Sequence, residues 1–199
     1  HRHNPQASSL LPHGLDRKRR DPLMRPMVTP SPQPIRSVCV YCGSSPGVDP
    51  AYLAAAESLG RGIADAGWRL IYGAGDLGLM GATAKACLAA GGEVIGVIPD
   101  HLRFIEGEAM GLTALIRTET MHERKKVMFA TADAFIVLPG GAGTVDETVE
   151  TLTWRQLGLH EKPLAFVDVD GYWQPMLDLL KHMNERGFMG DKFLTFYDV

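Results

Sequence analysis

The chain has 199 residues, of which 45 % are hydrophobic and 22 % charged, with a formal net charge of −3. This composition is that of an ordinary globular domain and excludes a fibrous or wholly disordered protein. No apolar run reaches the roughly 18 residues of a membrane span, and the charge gives no general case for nucleic-acid binding. Three cysteines are too few for a disulfide framework and indicate a reducing compartment such as the cytoplasm.

Residues 1–34 differ in composition from the rest of the chain. They hold seven of the 13 prolines and six basic against two acidic residues, whereas the remainder holds 14 basic and 21 acidic residues, a net charge of −7. Such a segment cannot bury enough apolar surface to offset the entropy of ordering it. We therefore predict a Pro-rich, basic, disordered tail over 1–34 and a single domain over 35–199. The run 17–20 fits an address signal or a nucleic-acid arm, but a solvated leader is the simpler interpretation.

Strand and helix patterns alternate from residue 37 onward. Short β-rich runs predict strands, and apolar residues at helical spacing predict the helices between them. The predicted strands are 37–41, 68–72, 93–98, 134–138, 163–169 and 193–199, and the predicted helices are 50–66, 79–90, 124–130, 145–157 and 172–186. Continuous apolar strands between helices indicate a parallel sheet. The sequence thus predicts an α/β fold, a Rossmann-like doubly wound parallel sheet with helices on both faces.

Three glycine-rich turns, at 42–45, 73–75 and 140–144, follow predicted strands. In a parallel sheet they share the carboxyl edge, where such folds bind ligands. Glycine also serves plain tight turns, but three turns on one edge, with free N–H groups at the following helix starts, predict a phosphate-bearing ligand. No Walker lysine follows these glycines. The Gly-x-Gly-x-x-Gly spacing at 73–78 lacks the acidic residue of a dinucleotide site, which disfavours a redox cofactor.

Charged residues at two predicted helix starts are the candidates for chemistry. Asp146 and Glu147 follow the third turn, where the helix dipole alone favours an acid. The functional alternative is that Glu147 faces the phosphate site and acts on a reacting carbon or on water. Arg124 is suited to binding a phosphate or carboxylate through its forked guanidinium. The alternative is that the charged residues of 121–126 form a solvated helix face without a ligand. For Lys126 we prefer this alternative.

Two further patterns carry little chemistry. Cys39 and Cys42 have a Cys-x-x-Cys spacing, but on a strand that enters a turn rather than at a helix start as in thioredoxin. The histidines have no paired metal spacing, and we expect His122 and His160 to have structural roles or to support neighbouring site residues rather than to act as ligands. No metal or other cofactor is expected.

Five sequence blocks resemble one known family. They are Pro139-Gly140-Gly141-Ala142-Gly143-Thr144-Val145-Asp146-Glu147, Met121-His122-Glu123-Arg124-Lys125, Cys42-Gly43-Ser44-Ser45-Pro46-Gly47, Gly78-Leu79-Met80-Gly81 and Thr153-Trp154-x-Gln156-Leu157-Gly158. In this order they resemble the Lonely Guy family, the cytokinin riboside 5′-monophosphate phosphoribohydrolases, over about residues 36–198. Such proteins have also been described as possible lysine decarboxylases, but no pyridoxal-phosphate lysine context is recognisable here.

The resemblance implies hydrolysis of the N-glycosidic bond of a nucleoside 5′-monophosphate to a free adenine-type base and ribose 5-phosphate. It implies that Arg124 and Glu147 are the catalytic pair. The ligand contacts that it implies are Glu106, Lys125, Gly140, Gly141, Ala142, Gly143, Thr144, Val145, Asp146 and Thr153, and the first glycine turn adds Gly43 and Ser44. One departure is Ala74, where the family usually has the middle of three glycines.

The rival interpretation is a non-catalytic nucleotide or molybdenum-cofactor carrier on the same fold, and a generic AMP nucleosidase is a milder alternative. The presence of both Arg124 and Glu147 favours the enzyme, and release of free base from AMP would distinguish the two classes. The family usually forms dimers or larger assemblies. Apolar residues on the helix 145–157, among them Val149, Leu152 and Trp154, also predict a homodimer.

Overall fold

Six parallel strands form the centre of the molecule in the computed structural model, which describes residues 34–102 and 111–199. In chain order they are β1 (Ser37–Tyr41), β2 (Arg69–Tyr72), β3 (Glu93–Pro99), β4 (Ala114–Thr118), β5 (Ala134–Val137) and β6 (Leu164–Phe166). The described residues also form the helices α1 (Pro50–Asp65), α2 (Gly78–Ala89), α3 (Met121–Thr131), α4 (Ala142–Gln156) and α5 (Gln174–Glu185). Short 3₁₀ turns occupy Asp100–Leu102 and Phe193–Thr195.

The strand order, β4-β3-β2-β1-β5-β6, confirms the predicted doubly wound fold. The chain builds the sheet outward from β1 to β4 and then returns to place β5 on the other side of β1. Tyr41 at the end of β1 pairs with Val137 at the end of β5. The turns that leave these two neighbouring strands diverge, and this switch point is where such sheets bind their ligands.

Alternate residues of each strand face opposite layers of helices. Val38 and Val40 of β1 belong to a core shared with α1 and α2, whereas Cys39 and Tyr41 belong to a core shared with α3, α4 and α5. Helices that cover both faces explain why the strands are apolar throughout. Helix α1 is capped by a side chain, because the Asp49 carboxylate accepts a hydrogen bond from the Ala51 N–H.

Two parts of the chain differ from the predicted elements. Strand β4 was not predicted, because its sequence Ala-Leu-Ile-Arg-Thr is short and lies at the sheet edge, with only Thr118 buried. The predicted strand 193–199 is wrong. Phe193–Thr195 is a 3₁₀ turn, and a single bridge from Asp198 to Ala165 joins this segment to the sheet. Phe193 and Phe196 pack edge-on against each other, a contact that suits residues three apart on a helical turn rather than on a strand.

The predicted tail lies outside the described residues except for Pro34, so the domain boundary near Ile35 stays a prediction. The compact unit that contains the sheet spans Pro34–Val199. Within the described part of the chain, every helix is too short or too polar to cross a membrane.

Candidate active site

The turn after β1 is hydrogen-bonded to the turns after β2 and β5 through Gly43. Its N–H donates to the carbonyl oxygen of Pro139 at 3.0 Å, and its own carbonyl accepts from the N–H groups of Leu79 and Met80 at 3.0 and 3.3 Å. Two N–H groups at the start of α2 are therefore satisfied within the protein. We expected each glycine turn to offer free N–H donors to a phosphate. The helix after the second turn does not fit this expectation, because its Leu79 and Met80 N–H groups are already bonded to the Gly43 carbonyl.

The start of α4 is different from the start of α2. Helix α4 begins at Ala142 with Gly141 as its N-cap, and no side chain caps its N–H groups. The first N–H groups of a helix have no acceptor inside the helix, and Gly141, Ala142 and Gly143 are exposed. A helix start of this kind binds phosphate through its N–H groups and its dipole.

Helix α4 also begins three residues before its predicted start at 145. Asp146 and Glu147 therefore lie in its second turn, and its first turn holds no acidic residue. Because the dipole effect fades beyond the first turn, it does not account for Glu147. The Glu147 side chain is buried, with 8 % of the residue exposed. Since burying a carboxylate costs free energy, the functional interpretation of Glu147 is favoured over the dipole one.

Arg124 and Glu147 are the two charged residues that are buried in the described part of the chain. Arg124 lies at the start of α3, where the N-cap Thr120 accepts a hydrogen bond from the Glu123 N–H at 3.1 Å. Its Nη2 donates to the carbonyl oxygen of Gly73 at 2.9 Å, and a Cβ on Gly73 would overlap the guanidinium. The second glycine turn therefore makes room for Arg124. By contrast Lys126 is exposed, which confirms its interpretation as part of a solvated face.

Both buried charges line one cavity of about 230 Å³ at the switch point of the sheet. Its lining combines backbone of the first and third turns with the side chains of both buried charges and three apolar residues. The lining residues are Cys42, Gly43, Ser44, Ser45, Met80, Leu102, Met121, Arg124, Gly141, Gly143, Thr144, Asp146 and Glu147. A helix start, a carboxylate, a guanidinium and apolar side chains together suit a ligand that carries both a phosphate and an apolar group.

The thiol of Cys42 is part of this wall but is chemically quiet. Burial raises the pKa of Cys42 well above its ordinary value, and the negative charge of Glu147 raises it further against the opposing effect of Arg124. The thiol therefore stays protonated. Burial likewise raises the pKa of Cys39. Neither residue has the low pKa of a redox-active thiolate, and the described residues contain no cluster with metal-ligand geometry.

Lys125 connects α3 to α4 at the rim of the cavity. Its Nζ lies 3.1 Å from both the Asp146 Oδ2 and the Glu150 Oε2. Burial alone would lower the pKa of Lys125, but its hydrogen bonds to the two carboxylates outweigh burial and raise that pKa. Lys125 is thus positioned to hold the two helices together, beside any contact that it makes with a ligand.

The structure brings most of the predicted site residues together and leaves a few apart. Ser44 lies in the cavity wall, and so does Gly43, whose N–H and carbonyl are already used within the protein. Val145 lines a neighbouring cavity of about 510 Å³. Thr153 is exposed, lines neither cavity, and its hydroxyl donates to the Val149 carbonyl. Glu106 lies outside the described residues.

Leu102 is a cavity residue that sequence reasoning did not single out. It ends the 3₁₀ turn that follows β3, and no glycine turn or motif marks it. The apolar part of the cavity lining depends on which strand ends are neighbours in the sheet. Local sequence patterns do not predict this strand order. Met80 lies within a family block, but that block gives no reason to expect the residue in the cavity wall.

Sequence comparisons place this chain among known proteins. Residues 80–199 match the family described as "Possible lysine decarboxylase". A cytokinin riboside 5′-monophosphate phosphoribohydrolase of Rhodococcoides fascians is 45 % identical over 155 residues, which are 77 % of this chain and 78 % of that protein. A protein of the same name from Arabidopsis thaliana is 43 % identical over 156 residues, 77 % of this chain and 71 % of that protein.

The fold is also similar to that of the molybdenum cofactor binding protein from the phototrophic bacterium Rippkaea orientalis. The TM-score is 0.61 at 24 % identity, over 74 % of this chain and 85 % of that one. At this identity the similarity shows a common fold and nothing about the ligand. The relatives at 43 % and 45 % identity, each covered over more than two thirds of its length, decide the family. This chain belongs to the family of the cytokinin riboside 5′-monophosphate phosphoribohydrolases.

Proposed function

We propose that the protein hydrolyses the N-glycosidic bond of N6-substituted adenosine 5′-monophosphates and releases the free base and ribose 5-phosphate. The observation that carries this proposal is that the two buried charged residues line one cavity with an uncapped helix start. A phosphate and a reacting sugar carbon can then be bound at neighbouring points of one site. The names of the relatives at 43 % and 45 % identity support the same reaction.

The start of α4 binds the 5′-phosphate and thereby fixes the sugar against Glu147 on the next turn of the helix. The bond from the anomeric carbon to the base nitrogen breaks, and its electron pair leaves with the base. Positive charge develops at the anomeric carbon, as in other glycoside cleavages. The Glu147 carboxylate stabilises this charge or takes a proton from the attacking water. Water supplies the hydroxyl of ribose 5-phosphate, and its other proton balances the departing base.

Arg124 supplies the positive charge of the site. Because its guanidinium is buried and bonded to the Gly73 carbonyl, it keeps one position and loses little freedom when a ligand binds. From there it holds the negative charge of the substrate or orients the Glu147 carboxylate. Three apolar residues, Met80, Leu102 and Met121, make the same cavity suitable for a purine base and its substituent.

The proposal extends to assembly and location. A homodimer is the proposed partner arrangement, and the exposed apolar side chains of Val149 on α4 and of Leu157 and Leu159 directly after it support this proposal. The cytoplasm is the proposed location, because Cys39, Cys42 and Cys87 are all free buried thiols, which suits a reducing compartment.

Product chromatography tests the reaction directly. The purified protein is incubated with AMP, with isopentenyladenosine monophosphate and with the matching unphosphorylated ribosides. We expect free base from the monophosphates, and far higher catalytic efficiency on them than on the ribosides, because only they carry the anchoring phosphate. Equal efficiency on adenosine and AMP would contradict the phosphate anchor. Tight nucleotide binding with no release of base would instead identify a carrier.

A further inference from the structure

We propose that Tyr172 is a positioning residue that fixes the glycine turn after β5 in its phosphate-binding orientation. The inference rests on the proposed function, because it concerns how that site is prepared for a phosphate. Tyr172 lies outside all five blocks that resemble the family, and it follows Gly140 by 32 residues. What connects the two residues is a contact between loops at the carboxyl edge of the sheet.

The contact is a short hydrogen bond. The Tyr172 hydroxyl donates to the carbonyl oxygen of Gly140 at 2.7 Å, the usual distance for a strong bond between two oxygens. The phenol ring packs edge-on against Tyr52 of α1, with 5.4 Å between ring centroids and an interplanar angle of 74°. It packs in the same way against Trp173 at 5.1 Å. Although 37 % of Tyr172 is exposed, its side chain is held on two sides.

The loop that carries Tyr172 has a fixed shape. Asp170 and Gly171 have φ angles of 53° and 73°, so two consecutive residues adopt the left-handed conformation. Glycine and aspartate are among the residues that tolerate this conformation, which is typical of a tight turn. The Tyr172 N–H closes the turn on the Val169 carbonyl at 3.1 Å, and the Trp173 N–H donates to the Asp168 carboxylate at 2.8 Å.

The bonded carbonyl controls the direction of the next N–H group. The Gly140 carbonyl and the Gly141 N–H belong to one planar trans peptide and point in opposite directions. A peptide between two glycines turns over easily, because glycine accepts both signs of φ. Only glycine fits at position 140, since a Cβ there would overlap the Thr144 hydroxyl and lie 2.8 Å from the Gly43 nitrogen. The Tyr172 hydroxyl therefore selects the direction of the N–H at the N-cap of α4.

A donor that already points in its binding direction loses no freedom when the anion arrives. The substitution Tyr172→Phe removes the hydroxyl and keeps the ring, so it releases the peptide without emptying the space. We expect the affinity for phosphate-bearing ligands to fall by roughly three- to tenfold, the effect of one lost hydrogen bond. The other N–H groups of the helix start still hold the phosphate and keep the sugar beside Glu147, so the loss belongs in KM and not in kcat.

The experiment compares Tyr172→Phe with the matched variant Tyr197→Phe. Tyr197 packs on Phe166 at 5.4 Å and does not line the cavity, so its hydroxyl serves as a control for hydroxyl removal as such. KM and kcat are measured with a nucleoside 5′-monophosphate and with the riboside, and calorimetry gives the Kd of ribose 5-phosphate. For Tyr172→Phe we expect KM and Kd to rise three- to tenfold, kcat to stay within twofold, and the riboside reaction to be unchanged. Tyr197→Phe should change none of these values.

The outcomes separate this inference from the proposed function. An active parent protein whose Tyr172→Phe variant keeps its KM and its Kd overturns the inference alone. So does a fall in kcat at constant KM, because it would place Tyr172 in the chemical step. If the parent releases no base but binds ribose 5-phosphate, the proposed function fails. The ratio of the ribose 5-phosphate Kd of Tyr172→Phe to that of the parent then still decides the inference. A parent that binds no phosphate-bearing ligand overturns both.

Discussion

Glu147 and Glu150 lie almost one turn apart on α4 in different surroundings. Glu147 is buried in the cavity, whereas Glu150 is paired with Lys125 at 3.1 Å on the rim. Glu147→Gln keeps the size of the side chain and removes its charge, so we expect turnover to fall roughly 10²-fold or more. Binding of AMP should change much less, because backbone N–H groups hold the phosphate. Steady-state rates and calorimetry measure the two effects.

Glu150→Gln is the matched control, since it removes one of the two carboxylates on Lys125 and leaves the buried one in place. It should keep turnover within a few-fold of the parent. A folded Glu147→Gln protein that binds AMP and turns over near the parent rate would remove Glu147 from the mechanism.

Ala74 stands where the family resemblance implies a glycine, and it has kept the backbone conformation of one. Its φ is 62°, a conformation that costs a residue with a Cβ about 1–2 kcal/mol. Its methyl group is fully buried and faces Gly96 of β3, where a Cβ would lie 2.7 Å from the Ala74 Cβ and 2.8 Å from Leu112 Cδ1. The extra methyl therefore occupies space in the core that Gly96 leaves open.

This packing predicts that positions 74 and 96 are energetically coupled. Gly96→Ala should lower the free energy of unfolding by roughly 1–3 kcal/mol, because two methyl groups then compete for one space. In the double variant with Ala74→Gly the loss should be smaller, since one methyl is gone and the left-handed residue is a glycine. Urea unfolding of the four proteins measures the coupling. Strictly additive effects would show that the two residues do not share this space.

Helix starts and sheet edges are the elements that the sequence predicts least well. Helix α4 begins at Ala142 instead of residue 145, because a bond from the Val145 N–H to the Gly141 carbonyl extends the helix through a glycine that propensity places in a turn. Helix α3 likewise begins at Met121 instead of residue 124. Both errors move charged residues relative to a helix end. The interior strands, by contrast, are predictable because the apolar requirement of a sheet buried on both faces is local.

The residues of the candidate site likewise include some that the sequence predicts and some that it does not. Glu147 could be predicted because it follows a glycine turn at the carboxyl edge of the sheet, and Arg124 because of its guanidinium chemistry and the family block that contains it. Leu102 and Tyr172 could not, since each reaches the site from a different loop and its contact depends on the tertiary fold. Gly73 was predicted for the wrong reason. Its missing side chain makes room for the Arg124 guanidinium, a partner 51 residues away.

His160 connects the end of α4 to the segment before β6. Its Nδ1 accepts a hydrogen bond from the Lys162 N–H at 3.1 Å, and its Nε2 lies 2.8 Å from the Thr151 carbonyl. Both bonds require a neutral ring with its hydrogen on Nε2. Burial lowers the pKa of His160, and the charges of Arg155 and Lys162 lower it further against the opposing bond to Thr151. The structural role expected for this residue is consistent with these contacts.

The lowered pKa makes stability depend on pH in a definite direction. Below the unfolded-state pKa of about 6.5 the unfolded chain binds a proton at His160 that the folded protein resists. We therefore expect the contribution of His160 to the free energy of unfolding to be complete above pH 6.5. This contribution should be lost as the pH drops through the pKa of His160 in the folded protein. His160→Gln should flatten this dependence in urea titrations between pH 5 and 8. His182→Gln, at an exposed position on α5, should leave the pH dependence unchanged. An equal dependence of the free energy of unfolding on pH in the parent and both variants would exclude the effect.

At the scale of the whole molecule, exposed apolar side chains lie on α4 and directly after it. Val149, Leu157 and Leu159 are 40 %, 66 % and 67 % exposed. A cavity of about 430 Å³ lies beside them, lined by Phe129, Trp154 and Leu159 together with His122, Lys126 and Glu150. Leu152, which the sequence placed on this face, is instead buried in the core. An exposed apolar surface of this kind favours contact with a second copy.

We expect a homodimer at micromolar concentration in light scattering. Leu159→Glu should give monomers, because it introduces a charge into the apolar surface. Leu179→Glu is the control, since Leu179 is 56 % exposed on α5 and does not line the cavity beside this surface. A parent protein that is monomeric and fully active would contradict the prediction, and so would a dimer that is lost only in Leu179→Glu.

The hydrogen bonds of Gly43 have a consequence for amide exchange. The amide protons of Gly43, Leu79 and Met80 are bonded within one set of turns, so they exchange with deuterium only when those turns separate. They should therefore exchange together and slowly, although they lie close to the cavity. The amide protons of Ala142 and Gly143 at the uncapped start of α4 should exchange fast. Under the proposed function, a substrate phosphate binds to donors that are open to water, and the hydrogen-bonded turns around them do not have to separate to admit it.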